Sequence, residues 1–297
     1  MVAEVPKVLD PAIHRRRLFK ELRNAREVAK KSQHDVATAM DWSISKLIRI
    51  ETGRASIRTN DLRVLLEFYE VNKERISELI ELAKKAREGT QWDVYKNAAS
   101  PEYITYCSYE SSAAIIRDFE PITVPGLLQT EDYARAVIST WFGGNSETVD
   151  SLVDLRMQRQ ELLVRPDPPQ LHCIIDESVL RRMVAGPQVM LDQLRRLQDY
   201  GEHPGVTLRV MPFSAGFYQH LGVAFVLLEF SDPEDEEILY LEPPLGEMLR
   251  ENSSKPDPLT PASLTPASAL QFFWEKEQIA KRQEFGNAVT RAIESLP

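Results

Sequence analysis

Apolar residues near the amino end recur at helical spacing. Leu18, Leu22, Ala25 and Val28 are the apolar positions of residues 15–30, and Arg16, Arg17, Arg23, Arg26 and Lys30 are solvated, which predicts an amphipathic helix. Ser32 opens a second, short helix. Its hydroxyl can accept from a first-turn N–H, and Asp35 puts a carboxylate where the helix dipole favours it. Val36, Ala37 and Met40 form the apolar face, and the small Ala37 lets a neighbouring helix cross closely. Asp41 and Trp42 interrupt the pattern. Ser43 then caps a third helix, Ile44–Glu51, with Ile44, Leu47, Ile48 and Ile50 as apolar positions and Ser43, Ser45, Lys46 and Arg49 facing outward. Thr59 is expected to cap a fourth helix burying Leu62, Leu65, Leu66 and Phe68, and a fifth covers 73–87. Two short helices joined by a turn, the second polar outside, make a helix-turn-helix whose second helix can enter the major groove of DNA.

Past Gly89 the patterning changes. Residues 91–101, QWDVYKNAASP, read as a linker with Trp92 and Tyr95 as aromatic anchors, and a helix is expected over 103–119. The stretch 120–136, EPITVPGLLQTEDYARA, is stiffened by Pro121 and Pro125, turned at Gly126, and ends on a helix capped by Thr130. A charged helix follows over 148–165 until PDPP stops it. Residues 171–175, 206–211, 223–230 and 238–241 read as strands, the last two a hairpin across the acidic turn SDPEDEE. Helices over 176–183, capped by Asp176, and 187–200 separate the first two strands, and PFSAGFYQHLG at 212–222 is an aromatic-rich loop. The tandem pentapeptide LTPASLTPAS at 259–268 reads as an extended spacer before a long helix over 268–296. The chain is therefore expected to be mainly α with a smaller α+β part. A flexible arm (1–14) precedes a five-helix domain (15–89), a linker (90–104), and a larger α+β domain (105–297) with a small, mostly antiparallel sheet.

Charge sharpens this division. The 297 residues, enough for two ordinary domains, carry a net charge of −9, which taken whole argues against nucleic acid. Residues 15–63, however, hold 13 Lys and Arg against 6 Asp and Glu, a balance of +7, and residues 91–297 hold 17 against 31, or −14. A basic head on an acidic body fits a DNA-binding domain joined to one that does not bind DNA. No apolar run approaches the roughly 18 residues that span a bilayer, and MVAEVPKVLD lacks a signal-peptide core, so no membrane partner and a cytoplasmic location are expected. Cys107 and Cys173 read as small buried hydrophobes, and the scattered histidines match no metal spacing. No nucleophile elbow, phosphate-binding loop, dinucleotide glycine motif or zinc-protease motif occurs, so no enzyme activity, catalytic residue, metal or cofactor is expected.

LRNAREVAKKSQHDVATAM, SISKLIRIETGR and LRVLLEFYEV resemble the lambda repressor/Cro-like (Xre) family of DNA-binding domains across residues 15–82. The most specific piece is the S-x-S-x-[IL]-x-[RK]-[IW]-E-x-G pattern at Ser43–Gly53. The resemblance implies a lambda-repressor-like head in which Glu51 is buried and pairs with an arginine, either Arg23 or Arg26. It also implies that Gln33 bonds a phosphate or braces the recognition helix. By position, Ser43, Ser45, Lys46 and Arg49 are candidates for base edges and adjacent phosphates. Most specificity should rest on Lys46 and Arg49, because lysine and arginine read guanine O6 and N7. Arg16 in the first helix, and Arg54 and Arg58 after the turn at Gly53, are phosphate candidates, whereas His34 reads as a surface residue.

The body segments VPGLLQTEDYARA, IIDESVLRRMV, VTLRVMPFSAG and YLE at 240–242 resemble a domain of unknown function found in actinobacterial Xre-type regulators, often described as antitoxin-like. That resemblance implies control of transcription by a body that senses a small molecule or a small partner protein. Pro125, Leu127, Leu128 and Gln129 at the elbow, with Phe217, Tyr218 and His220 in the loop, are the candidate wall and lid of a ligand or partner pocket; plain architecture is the other reading. The expected protein is a sequence-specific DNA-binding transcriptional regulator of the repressor type, a homodimer on a palindromic double-stranded operator. The alternative is an antitoxin-like factor that neutralises a cognate small partner and autoregulates its operon.

Overall fold

Asp10 sets the first element by accepting the N–H of Ala12 at 2.9 Å, and Pro11, which has no N–H to lose, takes the first helical position. A computed structural model describes residues 9–53, 55–142, 146–241, 248–250, 264–280 and 282–297, and the chain divides into two compact units, 1–93 and 94–297.

The first unit holds α1 (Pro11–Val28), α2 (Gln33–Ala39), α3 (Ile44–Glu51), α4 (Thr59–Phe68) and α5 (Lys73–Lys85). The expected arm over 1–14 is corrected: residues 11–14 belong to α1, and Ile13 is fully buried. Ser32 and Asp35 close a reciprocal capping box, and Ser43 and Asn72 cap α3 and α5. The expected cap at Thr59 is also corrected, since Arg58 occupies the cap position without a side-chain bond and Thr59 is already helical. Leu18, Phe19 and Leu22 of α1 meet Val36, Leu47, Ile50, Leu62, Leu65, Leu66, Ile76 and Leu79 in one core. Burying these side chains, at about 1.5–3 kcal/mol each, drives the unit together.

The segment 90–104, which contains the boundary between the two units, holds a 3-10 turn, Gln91–Tyr95, with Trp92 buried, and the first turn of α6 (Pro101–Ser112). The helix expected over 103–119 ends at Ser112, and residues 115–120 form β1 (Ile115–Glu120) instead. Ile115, Ile116 and Phe119 mimic helical spacing, but β1 sits between two strands, and pairing on both edges outweighs that local signal. The chain continues through α7 (Glu131–Phe142), α8 (Ser146–Gln160), β2 (Gln170–Asp176), α9 (Glu177–Arg181), α10 (Pro187–Gly201), β3 (Val206–Met211), β4 (Phe225–Glu229), β5 (Ile238–Leu241) and β6 (Met248–Arg250). These strands make one mixed sheet in the order β3-β2-β1-β4-β5-β6. The β1/β2 and β2/β3 pairs are parallel, while β1/β4, β4/β5 and β5/β6 are antiparallel.

The single long carboxy-terminal helix is replaced by α11 (Pro266–Ile279) and α12 (Arg282–Glu294), broken at Ala280, whose buried position and extended backbone end α11. The second LTPAS copy is not a spacer. Leu264 is buried, and Thr265 with Ser268 forms a capping box ahead of Pro266. The first copy, residues 259–263, lies outside the described residues.

Candidate nucleic-acid interface

Helix α3 begins where the Ser43 hydroxyl accepts the N–H of Lys46 at 3.1 Å. Leu47, Ile50 and Glu51 are its buried residues, and Ser43, Ser45, Lys46 and Arg49 are exposed. Two of the residues read as apolar face positions, Ile44 and Ile48, are not in the core: they are 43 % and 40 % exposed. The buried stripe of this eight-residue helix is narrower than its apolar pattern suggests, and one of its three residues is the carboxylate Glu51. The Lys46 ammonium lies 4.0 Å from the centre of the Trp42 ring, a contact worth about 0.5–1 kcal/mol when exposed, which holds the cation at one flank of α3.

Glu51 is the centre that positions this helix. Its side chain is 3 % exposed; Oε1 accepts Arg26 Nε at 2.6 Å and Oε2 accepts Gln33 Nε2 at 2.8 Å. Arg23 donates to the backbone carbonyl of Glu51, and Arg26 also donates to the Lys31 carbonyl at 3.1 Å. Helices α1, α2 and α3 therefore meet at one carboxylate. Both arginines are used, Arg26 on the side chain and Arg23 on the main chain. Gln33 occupies its amide in this brace. Burial works against the charge of Arg26, but the hydrogen bond and charge of Glu51 outweigh it and raise its pKa. Burial raises the nearby Tyr69 hydroxyl, and the Glu51 charge adds to this. After α3, Gly53 turns the chain at φ +75°, and a Cβ there would lie 3.0 Å from Phe19 Cδ2. Arg16 lies in α1, and Arg58 stands exposed at the head of α4. Arg54 falls outside the described residues.

In the second unit the elbow is held by hydrogen bonds to α8 and α10. Pro125, Leu127, Leu128 and Gln129 are buried. The Gln129 amide donates to the Val124 carbonyl at 2.7 Å and its oxygen accepts from Arg156 at 2.8 Å. Gln160 of α8 donates to the Gly126 and Gln129 carbonyls, and Gln193 of α10 donates to that of Leu128. Two glutamines thus fasten the PGLLQT turn to two helices. The loop residues belong to other neighbours: Tyr218 is buried, bonds Asp176 at 2.5 Å and stands edge-on to Phe119, while His220 stands edge-on to Phe272. Phe217 is 90 % exposed.

A buried ionic network in this unit had no simple signal in the sequence. Arg159 of α8 grips Glu110 of α6 with two bonds of 2.7 Å and also donates to the Tyr106 hydroxyl at 3.2 Å and to that of Tyr103. Tyr106 stacks on Tyr240 at 4.0 Å between ring centres. Arginine and glutamate are almost fully buried, and the pairing with Glu110 raises the Arg159 pKa against the cost of burial. The available clue was the recurrence of Tyr103, Tyr106 and Glu110 on one face of α6. Among the described residues no group of three or more His, Cys, Asp or Glu is placed to hold a metal, and no helix is long and apolar enough to cross a membrane.

Comparison with known proteins places a helix-turn-helix domain over residues 17–79. A second match, to a domain of unknown function (DUF5753), covers residues 103–259, more than half the chain. No curated protein and no solved structure matches the chain.

Proposed function

Because the chain belongs to the DUF5753 family and carries a helix-turn-helix domain ahead of that region, we propose that it is a sequence-specific DNA-binding transcriptional regulator. The observation that supports this most is α3. Its inner side is locked by Glu51, Leu47 and Ile50, and its outer side presents Ser45, Lys46 and Arg49 on a basic head. Rigid placement of a polar, cationic helix face is what reading base edges requires. Two copies act as a homodimer of the Xre type on a palindromic operator, with half-sites about 34–36 Å apart, one turn of the duplex. The DUF5753 region responds to a small molecule or a small partner protein, and it alters DNA binding only if that effector favours one arrangement of the dimer over another. The acidic balance over 91–297 favours, as a second reading, an antitoxin-like body that neutralises a small basic partner.

Capture of duplexes from a random pool by the full chain at moderate salt tests the proposal. Enrichment of an inverted repeat is the expected result. The absence of any enriched sequence would overturn it, and an enriched sequence without symmetry would overturn the dimer. A pull-down from native extract, set against thermal melts with metabolites, separates the two readings of the body.

A further inference from the structure

We propose that Ile44 and Ile48 are specificity-determining residues that read the 5-methyl groups of thymines in the major groove. The inference rests on the DNA-binding reading above and extends it to two residues that the polar face leaves aside. Leu47, Ile50 and Glu51 define the buried side of α3. At about 100° per residue, Ser45 and Arg49 point the opposite way, with Lys46 on one flank and Ile44 and Ile48 on the other. One turn apart, the two isoleucines adjoin each other and form a short apolar ridge beside the cationic face. Their exposures, 43 % and 40 %, leave a large part of each side chain outside the head's own core. A β-branched residue at an exposed helical position gains little for folding, and serine, lysine or glutamine would solvate better.

The groove edge offers such a ridge one apolar partner. Guanine, cytosine and adenine present donors and acceptors there, and thymine adds a methyl group. Ile44 lies in the first turn of α3, and the amino-terminal residues of a recognition helix are the ones that reach base edges. The same helix therefore carries two kinds of reader: cations for guanine on one part of its face and methylene surface for thymine on the other.

The test uses a duplex selected by the full chain from a random pool. Each thymine is replaced in turn by deoxyuridine, which removes the methyl and nothing else, and Kd is measured for the unmodified protein, Ile44→Ala and Ile48→Ala. At one or two positions per half-site the unmodified protein should lose about fourfold per methyl, the factor that corresponds to burying one such group. At those positions the alanine variants should lose affinity on the thymine duplex and show no further loss on the uracil duplex. An unchanged Kd for every uracil substitution overturns the inference without touching the DNA-binding reading. Equal losses by the variants on thymine and uracil duplexes overturn it too. Failure to select any duplex removes the DNA-binding reading first, and this inference with it.

Discussion

Glu51→Ala is the change that most directly strains the head. It deletes the acceptor shared by Arg26 and Gln33 and leaves the Arg26 guanidinium, whose side chain is only 14 % exposed, without its carboxylate. Removing one partner of a buried ion pair costs about 3–5 kcal/mol. Arg26 keeps its bond to the Lys31 carbonyl and a 3.8 Å ion pair with the exposed Glu27, and Gln33 can turn to solvent, so the lower end, about 3 kcal/mol, is expected. For a domain of this size that corresponds to a fall in Tm on the order of 12–24 °C, a large share of a typical stability. Hydrogen exchange read by mass spectrometry on the full chain gives the opening free energy of peptides across 11–88 separately from those in 94–297. The head peptides should lose about 3 kcal/mol while the body peptides stay within error. Glu51→Gln, which keeps an acceptor oxygen and removes the charge, should fall between. A loss below about 0.5 kcal/mol for Glu51→Ala would refute the claim that this carboxylate holds the three helices together.

Lys46→Ala and Arg49→Ala should each cost about 1–3 kcal/mol on the selected duplex and relax base preference. Arg16→Ala should weaken binding alike on selected and scrambled duplexes and lower the salt slope by about 1; titrations at several salt concentrations separate the two behaviours. In the body, Arg159→Met strands Glu110 in the interior and should cost about 3–5 kcal/mol in urea unfolding, with part of the loss recovered when Glu110→Leu is added. Acid should weaken the fold as well. Burial, helped by neighbouring cations, holds His14, His172 and His220 below the ordinary value of 6.5, so the unfolded chain binds protons more readily. The stability they confer is full above pH 6.5 and is lost as pH falls from there through their lower folded values. The urea midpoint should drop between pH 7.5 and 5.5, and His172→Gln should flatten the change. Equal midpoints for the unmodified protein would contradict this.

The head was legible because its signals are local. Ser32, Asp35 and Ser43 mark helix starts by short-range bonding, and the apolar residues of α1 and α4 repeat at a period that a helix alone explains. The pairing of Glu51 with an arginine was legible only through a resemblance, and the choice between Arg23 and Arg26 needed the fold, which uses both. Ile44 and Ile48 show the limit of periodicity: the pattern reports which side chains are apolar, not whether a partner covers them. The body was harder to read because its order is long-range. β1 takes its conformation from β2 and β4, which lie more than 50 residues away, and its own residues fit a helix equally well. The glutamines that fasten the elbow and the Arg159–Glu110 pair likewise join distant elements, so no window of sequence contains both partners.

Sequence selection by α3 is central to the proposed function. The ratio of Kd on a scrambled duplex to Kd on the selected duplex, measured for the full chain at about 0.15 M salt, tests this most directly. The account predicts a ratio of about 10³ or more that collapses towards that of non-specific binding when Lys46 and Arg49 are both replaced by alanine. A ratio near one, or a high ratio that survives the double replacement, would contradict it.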